Sequence, residues 1–234
     1  MKNLKLIALL FVLFSFTAKA TVWIMIGDPS ENKIGAIGMS SGHIGKKTFA
    51  LADNTGMVGI GSWYVSRAQR RLSPILYQSL GSWDMLNAIS AEANRKRGSY
   101  YRRVTLIRSN FYTGSLASDG CHGENYYCGE STGEHFAITG GGLTGPEVIN
   151  NTRDLIEFNK TRNLPLECQL MQAMRKLHDT GGEWKLFERL VFAVDDLNLY
   201  NDADMKIFYR KGRHENDLFS DLQRYLAKRD VYCN

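Results

Sequence analysis

Ala18-Lys19-Ala20-Thr21-Val22-Trp23-Ile24-Met25-Ile26-Gly27-Asp28-Pro29 is the stretch from which the rest of the chain is read. Two signals meet inside it. On the left, Ala18 and Ala20 put small residues where a signal peptidase requires them. On the right, an apolar run of β character begins at Thr21 and stops at the turn-forming Gly27-Asp28-Pro29. Cleavage after Ala20 would give Thr21 a free α-amine beside its own hydroxyl. A hydroxyl and an amine on one residue can act as nucleophile and base. Secretion itself would then create the catalytic group.

The leader is built from ordinary parts. Lys2 and Lys5 form a positive start, and Leu6 through Phe16 is apolar apart from Ser15. That run is short for a spanning helix, which needs about 20 apolar residues, and no lipid-acceptor cysteine follows it. Residues 1–20 are therefore expected to be a cleaved signal peptide, and 21–234 a single secreted or periplasmic domain with no stable membrane insertion. An uncleaved anchor is the alternative.

Removing 20 of the 234 residues leaves 214, enough for one domain with a sizeable core. The net charge of +5 includes Lys2, Lys5 and Lys19 of the leader, so the exported part carries +2. Clusters such as Arg95-Lys96-Arg97, Arg102-Arg103 and Arg210-Lys211 are scattered and read as solvated ends of elements rather than a binding stripe. No nucleic-acid partner is expected. The four cysteines, Cys121, Cys128, Cys168 and Cys233, imply two disulfides in an oxidising compartment, with three possible connectivities. Cys121–Cys128 and Cys168–Cys233 are preferred. The first pair flanks one polar loop. Cys168 lies opposite the apolar face of its helix, within reach of a passing C-terminal tail.

Strands are expected at Val22–Ile26, Ile34–Ser40, Gly56–Tyr64, Arg103–Arg108, Phe111–Thr113, His135–Thr139, Leu190–Val194 and Met205–Tyr209. Helical patterns cover Leu72–Leu80, Ser82–Ala93, a segment from Gly145-Pro146-Glu147 to about Asn159, Pro165–His178, and a last amphipathic piece around Leu218–Leu226. Ser118–Gly133 reads as a loop. Strands first, then a helical pair, strands, a second pair, strands and a final helix is not the strict alternation of a parallel sheet. The order fits an α+β, four-layer αββα sandwich: two stacked, mainly antiparallel sheets with helices outside.

Thr21 opening a strand, Asp28-Pro29, Gly35-Ala36-Ile37-Gly38 with Ser40, Gly141-x-x-x-Gly145-Pro146-Glu147-Val148-Ile149 and a helix closing in Gly181-Gly182 together resemble the domain of unknown function 1028 family. That family is mostly bacterial and regarded as N-terminal-nucleophile-hydrolase-like, and the resemblance implies the same αββα sandwich. This chain departs from the family pattern at several polar positions. The family commonly shows Gly-Asn ahead of its Gly-Pro-Glu-Val segment, where Gly140-Gly141-Gly142 stands here. It usually follows its second-strand serine with Lys, Arg or His, where Ser40 is followed by Ser41 and the nearest candidate is His43.

The function expected is hydrolysis of an amide or related bond in a small-molecule or peptide-like substrate. Thr21, Ser40 and His43 are the catalytic candidates, and Ser41, Gly141 and Gly142 the substrate-binding ones. An α-amine titrates at about 7.7–8.0, so a useful fraction is neutral base near pH 7. Glycine-rich turns at Gly42–Gly45 and Gly140–Gly142 offer backbone N–H donors for an oxyanion. A non-catalytic binding protein of the same fold is the alternative. A third reading is a secreted interaction protein using Tyr126-Tyr127. No cofactor and no metal is expected. Cys121, His122, Cys128 and His135 lack paired zinc-ligand spacing, and the acidic run from Asp195 lacks the glycine and glutamate of a calcium loop.

Overall fold

The computed structural model describes residues 21–41, 44, 48–61, 68–94, 103–116, 127–182, 188–198, 206–211 and 215–233. The leader, His43, Cys121 and Tyr126 lie outside the described residues. The strands are β1 (Thr21–Asp28), β2 (Lys33–Ser40), β3 (Phe49–Ala52), β4 (Gly56–Gly61), β5 (Arg103–Arg108), β6 (Thr113–Leu116), β7 (Tyr127–Gly133), β8 (Phe136–Leu143), β9 (Arg189–Asp196) and β10 (Lys206–Lys211). The helices are α1 (Ala68–Leu76), α2 (Ser82–Asn94), α3 (Pro146–Lys160), α4 (Leu166–Asp179) and α5 (Glu215–Ala227). One sheet has the order β10-β9-β2-β1-β8-β7 and the other β3-β4-β5-β6. Every neighbouring pair is antiparallel.

Strand pleating sorts the side chains into three buried layers. Val22, Ile24 and Ile26 of β1 point outward and pack under α3, α4 and α5 with Ile149, Leu170, Met174 and Leu222. Trp23 and Met25 point the other way and meet Met57, Ile107 and Phe49 of the second sheet. That sheet's outer face, with Val58, Ile60, Val104 and Leu106, is covered by Leu72, Leu76 and Ile89 of α1 and α2. The result is the expected αββα sandwich. Being buried on both faces is why β1 reads as an unbroken apolar run rather than an alternating one.

Trp23 sets the spacing between the sheets. A Cβ on Gly38 of β2 would lie 2.5 Å from its ring, and one on Gly59 of β4 would lie 2.4 Å away. The indole therefore occupies room that two glycines leave, one in each sheet. Its Nε1–H donates to the Ile60 carbonyl at 3.2 Å, and its ring stacks on Phe49 with centroids 5.5 Å apart.

Several local expectations are corrected. β3 was not anticipated, because Phe49-Ala50-Leu51-Ala52 is too short to show a period. β4 is described to Gly61 only. Phe111 adopts a left-handed φ of 61° in the turn after β5, so β6 starts at Thr113 rather than Phe111. His135, with φ of 63°, belongs to the turn between β7 and β8. The second half of the expected Ser118–Gly133 loop is strand β7. It is an edge strand with a partly exposed face, so its sequence is polar and carries no apolar alternation. β8 does not stop at Thr139 but continues through the glycines to Leu143.

The Cys168–Cys233 disulfide is present, with Cα atoms 5.2 Å apart. It ties the tail after α5 to α4, and Val231 packs against the same core. Cys128 is also disulfide-bonded; the partner expected for it, Cys121, lies outside the described residues.

At the Asp28 end of the sandwich, buried Asp195 of β9 accepts the Asn54 backbone N–H at 3.0 Å, linking one sheet to the β3–β4 turn of the other. Burial pushes its carboxyl above the ordinary range.

Three outcomes are expected. Trp23→Ala should destabilise the protein by about 3–5 kcal/mol. Gly59→Ala should be destabilising alone and far less so in the Trp23→Ala background, a coupling that urea titrations of the four forms would measure. For Asp195, the folded state binds its proton at higher pH than the unfolded state. Its contribution is therefore most favourable at low pH and is lost as pH rises through the raised folded value. Asp195→Asn should gain stability relative to the parent as pH increases, and paired thermal melts from about pH 4 to pH 7 would show it.

Candidate functional site

The strand register assembles one row of residues at the start of β1. Thr21 is opposite Ser40 on one side and Gly141 on the other. Ser40 is in turn opposite Arg189, and Gly141 opposite Cys128. Directly opposed residues in antiparallel strands share a face. Thr21 shares its face with Trp23, two residues on, so the row Arg189–Ser40–Thr21–Gly141–Cys128 opens into the space between the sheets.

The other sheet meets this row with the opposed pair Gly61 and Arg103. Arg103 reaches across the sandwich. Its Nη1 donates to Cys128 Sγ at 2.7 Å. A Cβ built on Gly141 would lie only 1.6 Å from that same nitrogen. The guanidinium thus fills the place where a side chain at 141 would be. On its other flank, a Cβ on Gly61 would be 3.2 Å from Arg103 Nε and 3.7 Å from the Thr21 carbonyl oxygen. Deeper along the same faces, the Thr105 and Thr139 hydroxyls bond to each other across the sheets.

The Thr21 and Ser40 hydroxyl oxygens are 3.0 Å apart, and either can donate. Thr21 is 5 % exposed and Ser40 1 %. This bond fixes the Thr21 side chain in one orientation and gives its oxygen a proton partner. Arg103 is 2 % exposed, and burial lowers its pKa to about 10. It remains a cation at neutral pH. The expectation that Arg102-Arg103 marks a solvated end is corrected at Arg103: with Thr105 and Ile107 it occupies the inward face of β5. Period-two alternation in Arg103-Val104-Thr105-Leu106-Ile107 was the available signal, together with facing glycines that leave volume to be filled.

Of the binding candidates, Gly141 is a ladder residue between β1 and β7 rather than part of a turn. Gly142 is the extra residue of a bulge, since Tyr127 pairs with Leu143 and Cys128 with Gly141. Its φ of 75° is the left-handed conformation glycine adopts without strain. Ser41 is half-buried at the end of β2. His43 lies outside the described residues. Among the described residues, no group of three His, Cys, Asp or Glu side chains is placed to hold a metal ion.

A separate cleft of about 390 Å³ lies at the far end of β1, lined by Asp28, Ser30, His135, Lys160 and Gln169. Its polar groups serve local turns. Asp28 Oδ1 accepts from the Ser30 backbone N–H at 2.9 Å and from the Ser30 hydroxyl at 2.6 Å. His135 Nδ1 is 3.3 Å from the Phe111 carbonyl oxygen, and Lys160 donates to the Glu134 carbonyl.

Comparison with known proteins adds a family and a fold. Residues 21–196 match the model of a family of unknown function, DUF1028. The chain superposes on the crystal structure of protein SPO2555 from Silicibacter pomeroyi, which carries the same family model. That match has a TM-score of 0.70 and 15% identity, and covers 89% of this chain and 88% of that one. No curated protein matches.

The contact between Arg103 and Gly141 predicts a second coupling. Gly141→Ala should cost about 1–3 kcal/mol, as overpacking does in a filled interior. In an Arg103→Ala background most of that cost should disappear, and denaturant titrations of the single and double variants would measure the difference.

Proposed function

We propose that this chain, which belongs to the DUF1028 family of unknown function, is an exported hydrolase of the N-terminal-nucleophile type. The observation that carries this reading is the Thr21 hydroxyl, 3.0 Å from Ser40 Oγ, in a row that faces a buried guanidinium. Thr21 is also the residue that cleavage after Ala20 would place first, and the family match begins there. The Cys168–Cys233 disulfide fits an oxidising compartment, secreted or periplasmic. Among the described residues no helix is long and apolar enough to cross a membrane.

In this mechanism the Thr21 α-amine takes the Oγ1 proton, directly or through one water. Oγ1 attacks the carbonyl carbon of an amide. The C–N bond breaks, the leaving amine takes the proton, and an acyl ester remains on Thr21. Water then cleaves the ester, releasing the acid and restoring the hydroxyl. Ser40 orients Oγ1 throughout, and Arg103 offers positive charge where negative charge develops. The near-complete burial of Thr21 and Ser40 favours a second reading, a binding protein of the same fold that has kept the row without turnover.

Mass spectrometry of the exported protein should find Thr21 at the amino terminus. A β-lactone probe should add one acyl group there. Thr21→Ala should abolish the adduct and lower any amide hydrolysis by at least about a thousandfold. A mature start elsewhere would remove the mechanism, and hydrolysis that survives Thr21→Ala would leave the binding reading.

A further inference from the structure

Four elements meet at the cleft of about 390 Å³ beyond the end of β1, where Asp28 of β1, His135 of the β7–β8 turn, Lys160 of α3 and Gln169 of α4 line one space. That volume is within the range of small-molecule sites. The local bonds of these polar groups use one atom of each and leave another. Asp28 Oδ1 accepts three bonds, from the Ser30 backbone N–H, the Ser30 hydroxyl and, at 3.2 Å, the Glu31 backbone N–H. Among the described residues Oδ2 accepts none. His135 Nδ1 faces the Phe111 carbonyl, which can only accept, so Nδ1 carries the proton and Nε2 of the neutral ring is an acceptor. The carboxylate beside Nε2, that of exposed Glu134, is 3.6 Å away, beyond hydrogen-bond distance. Gln169 is 4 % exposed, and its Nε2 donates to the Leu164 carbonyl at 2.8 Å. That bond fixes the amide's orientation and leaves Oε1 with no donor among the described residues. Nearly every buried polar atom has a partner, so an amide oxygen left over on a cleft wall points to a ligand.

What remains is rich in acceptors and carries one unbalanced negative charge. Lys160 does not balance it, because its ammonium is 3.0 Å from Glu157 and donates to the Glu134 carbonyl. Glu31 is paired with Lys33 at 2.8 Å. Asp28 pairs with no cation among the described residues. We propose that this cleft binds a small primary amine as its ammonium ion, held on Asp28 Oδ2, with the ligand's other N–H or O–H donors directed to His135 Nε2 and Gln169 Oε1. An ammonium brings a positive charge and three donors to a site that offers a negative charge and acceptors. A guanidinium suits it less well, since its paired donors need both carboxylate oxygens and Oδ1 is already occupied. A metal ion suits it less well too: among the described residues no three His, Cys, Asp or Glu side chains stand together. The site is at the opposite end of β1 from Thr21, about 23 Å along the strand, and does not depend on the hydrolase reading.

Titrations of the exported protein, followed in heteronuclear correlation spectra, would compare ethanolamine, butylamine and putrescine with their N-acetyl forms. Acetylation removes the charge and keeps the body of the molecule. At least one amine should shift the backbone signals of Ser30, His135 and Gln169 saturably. It should bind at least about tenfold more tightly than its acetylated form, equivalent to about 1.4 kcal/mol. Asp28→Asn keeps a side-chain oxygen for the Ser30 turn and should erase that preference. His135→Asn, with a residue that tolerates the same left-handed φ of 63°, should lose part of the amine affinity. If Asp28→Asn does not fold, the amines and their acetylated forms decide on the unmutated protein. Equal affinity for the two sets overturns the inference. So does a preference that survives Asp28→Asn, saturable shifts confined to another part of the chain, or the absence of saturable binding by any of the three amines.

Discussion

The two sheets stand one indole apart. Trp23 lies between Gly38 of its own sheet and Gly59 of the facing one, with its N–H bonded to Ile60 across the gap. A side chain at either glycine would collide with the ring, and a smaller residue at 23 would let the sheets lose their common core. The wedge also determines what lies beside it. Side chains on a strand alternate with a period of two, so the register that turns Trp23 inward turns Thr21 inward as well. A one-residue slip would send the Thr21 hydroxyl under the helices, on the face that Val22 now occupies. The chemistry at the end of β1 is thus held by a packing constraint two residues away.

The same exchange of volume recurs at the site itself. Gly141 has no side chain, and Arg103 supplies one from the opposite sheet. A side chain at 141 has no room while Arg103 holds its place. The row keeps its floor filled, and the group that fills it from β5 is a cation.

How much of this was legible depends on whether the cause was local. β1 and β2 were readable because burial on both faces leaves an uninterrupted apolar run, and α3 and α4 because proline, acid and apolar spacing mark a helix within a few residues. β7 was not, since an edge strand needs no apolar alternation and Tyr127-Cys128-Gly129-Glu130-Ser131-Thr132-Gly133 resembles a loop in composition. Gly38 and Gly141 could be read as places of close approach. What approaches is Trp23 in one case and Arg103 in the other, and neither is a neighbour in sequence. Arg103 was misread for a related reason. A basic doublet ahead of a strand is usually solvated, and only the sheet opposite, with its glycines, makes it interior.

The sandwich has a buried ionisable group at each end of its inter-sheet layer, Arg103 beside Thr21 and Asp195 near Asp28. They are not equivalent. Asp195 is used structurally: its carboxylate receives the Asn54 amide and joins the β3–β4 turn to β9. A neutral acceptor would do the same work at lower cost, which is why its raised pKa reads as a burden on the folded state. Arg103 combines two structural roles: its guanidinium takes the volume that Gly141 leaves empty, and its Nη1 donates across the sandwich to Cys128 of β7. An apolar residue could fill that volume but would make no such bond, so the side chain that packs this end of the layer also ties β5 to β7 beside Thr21.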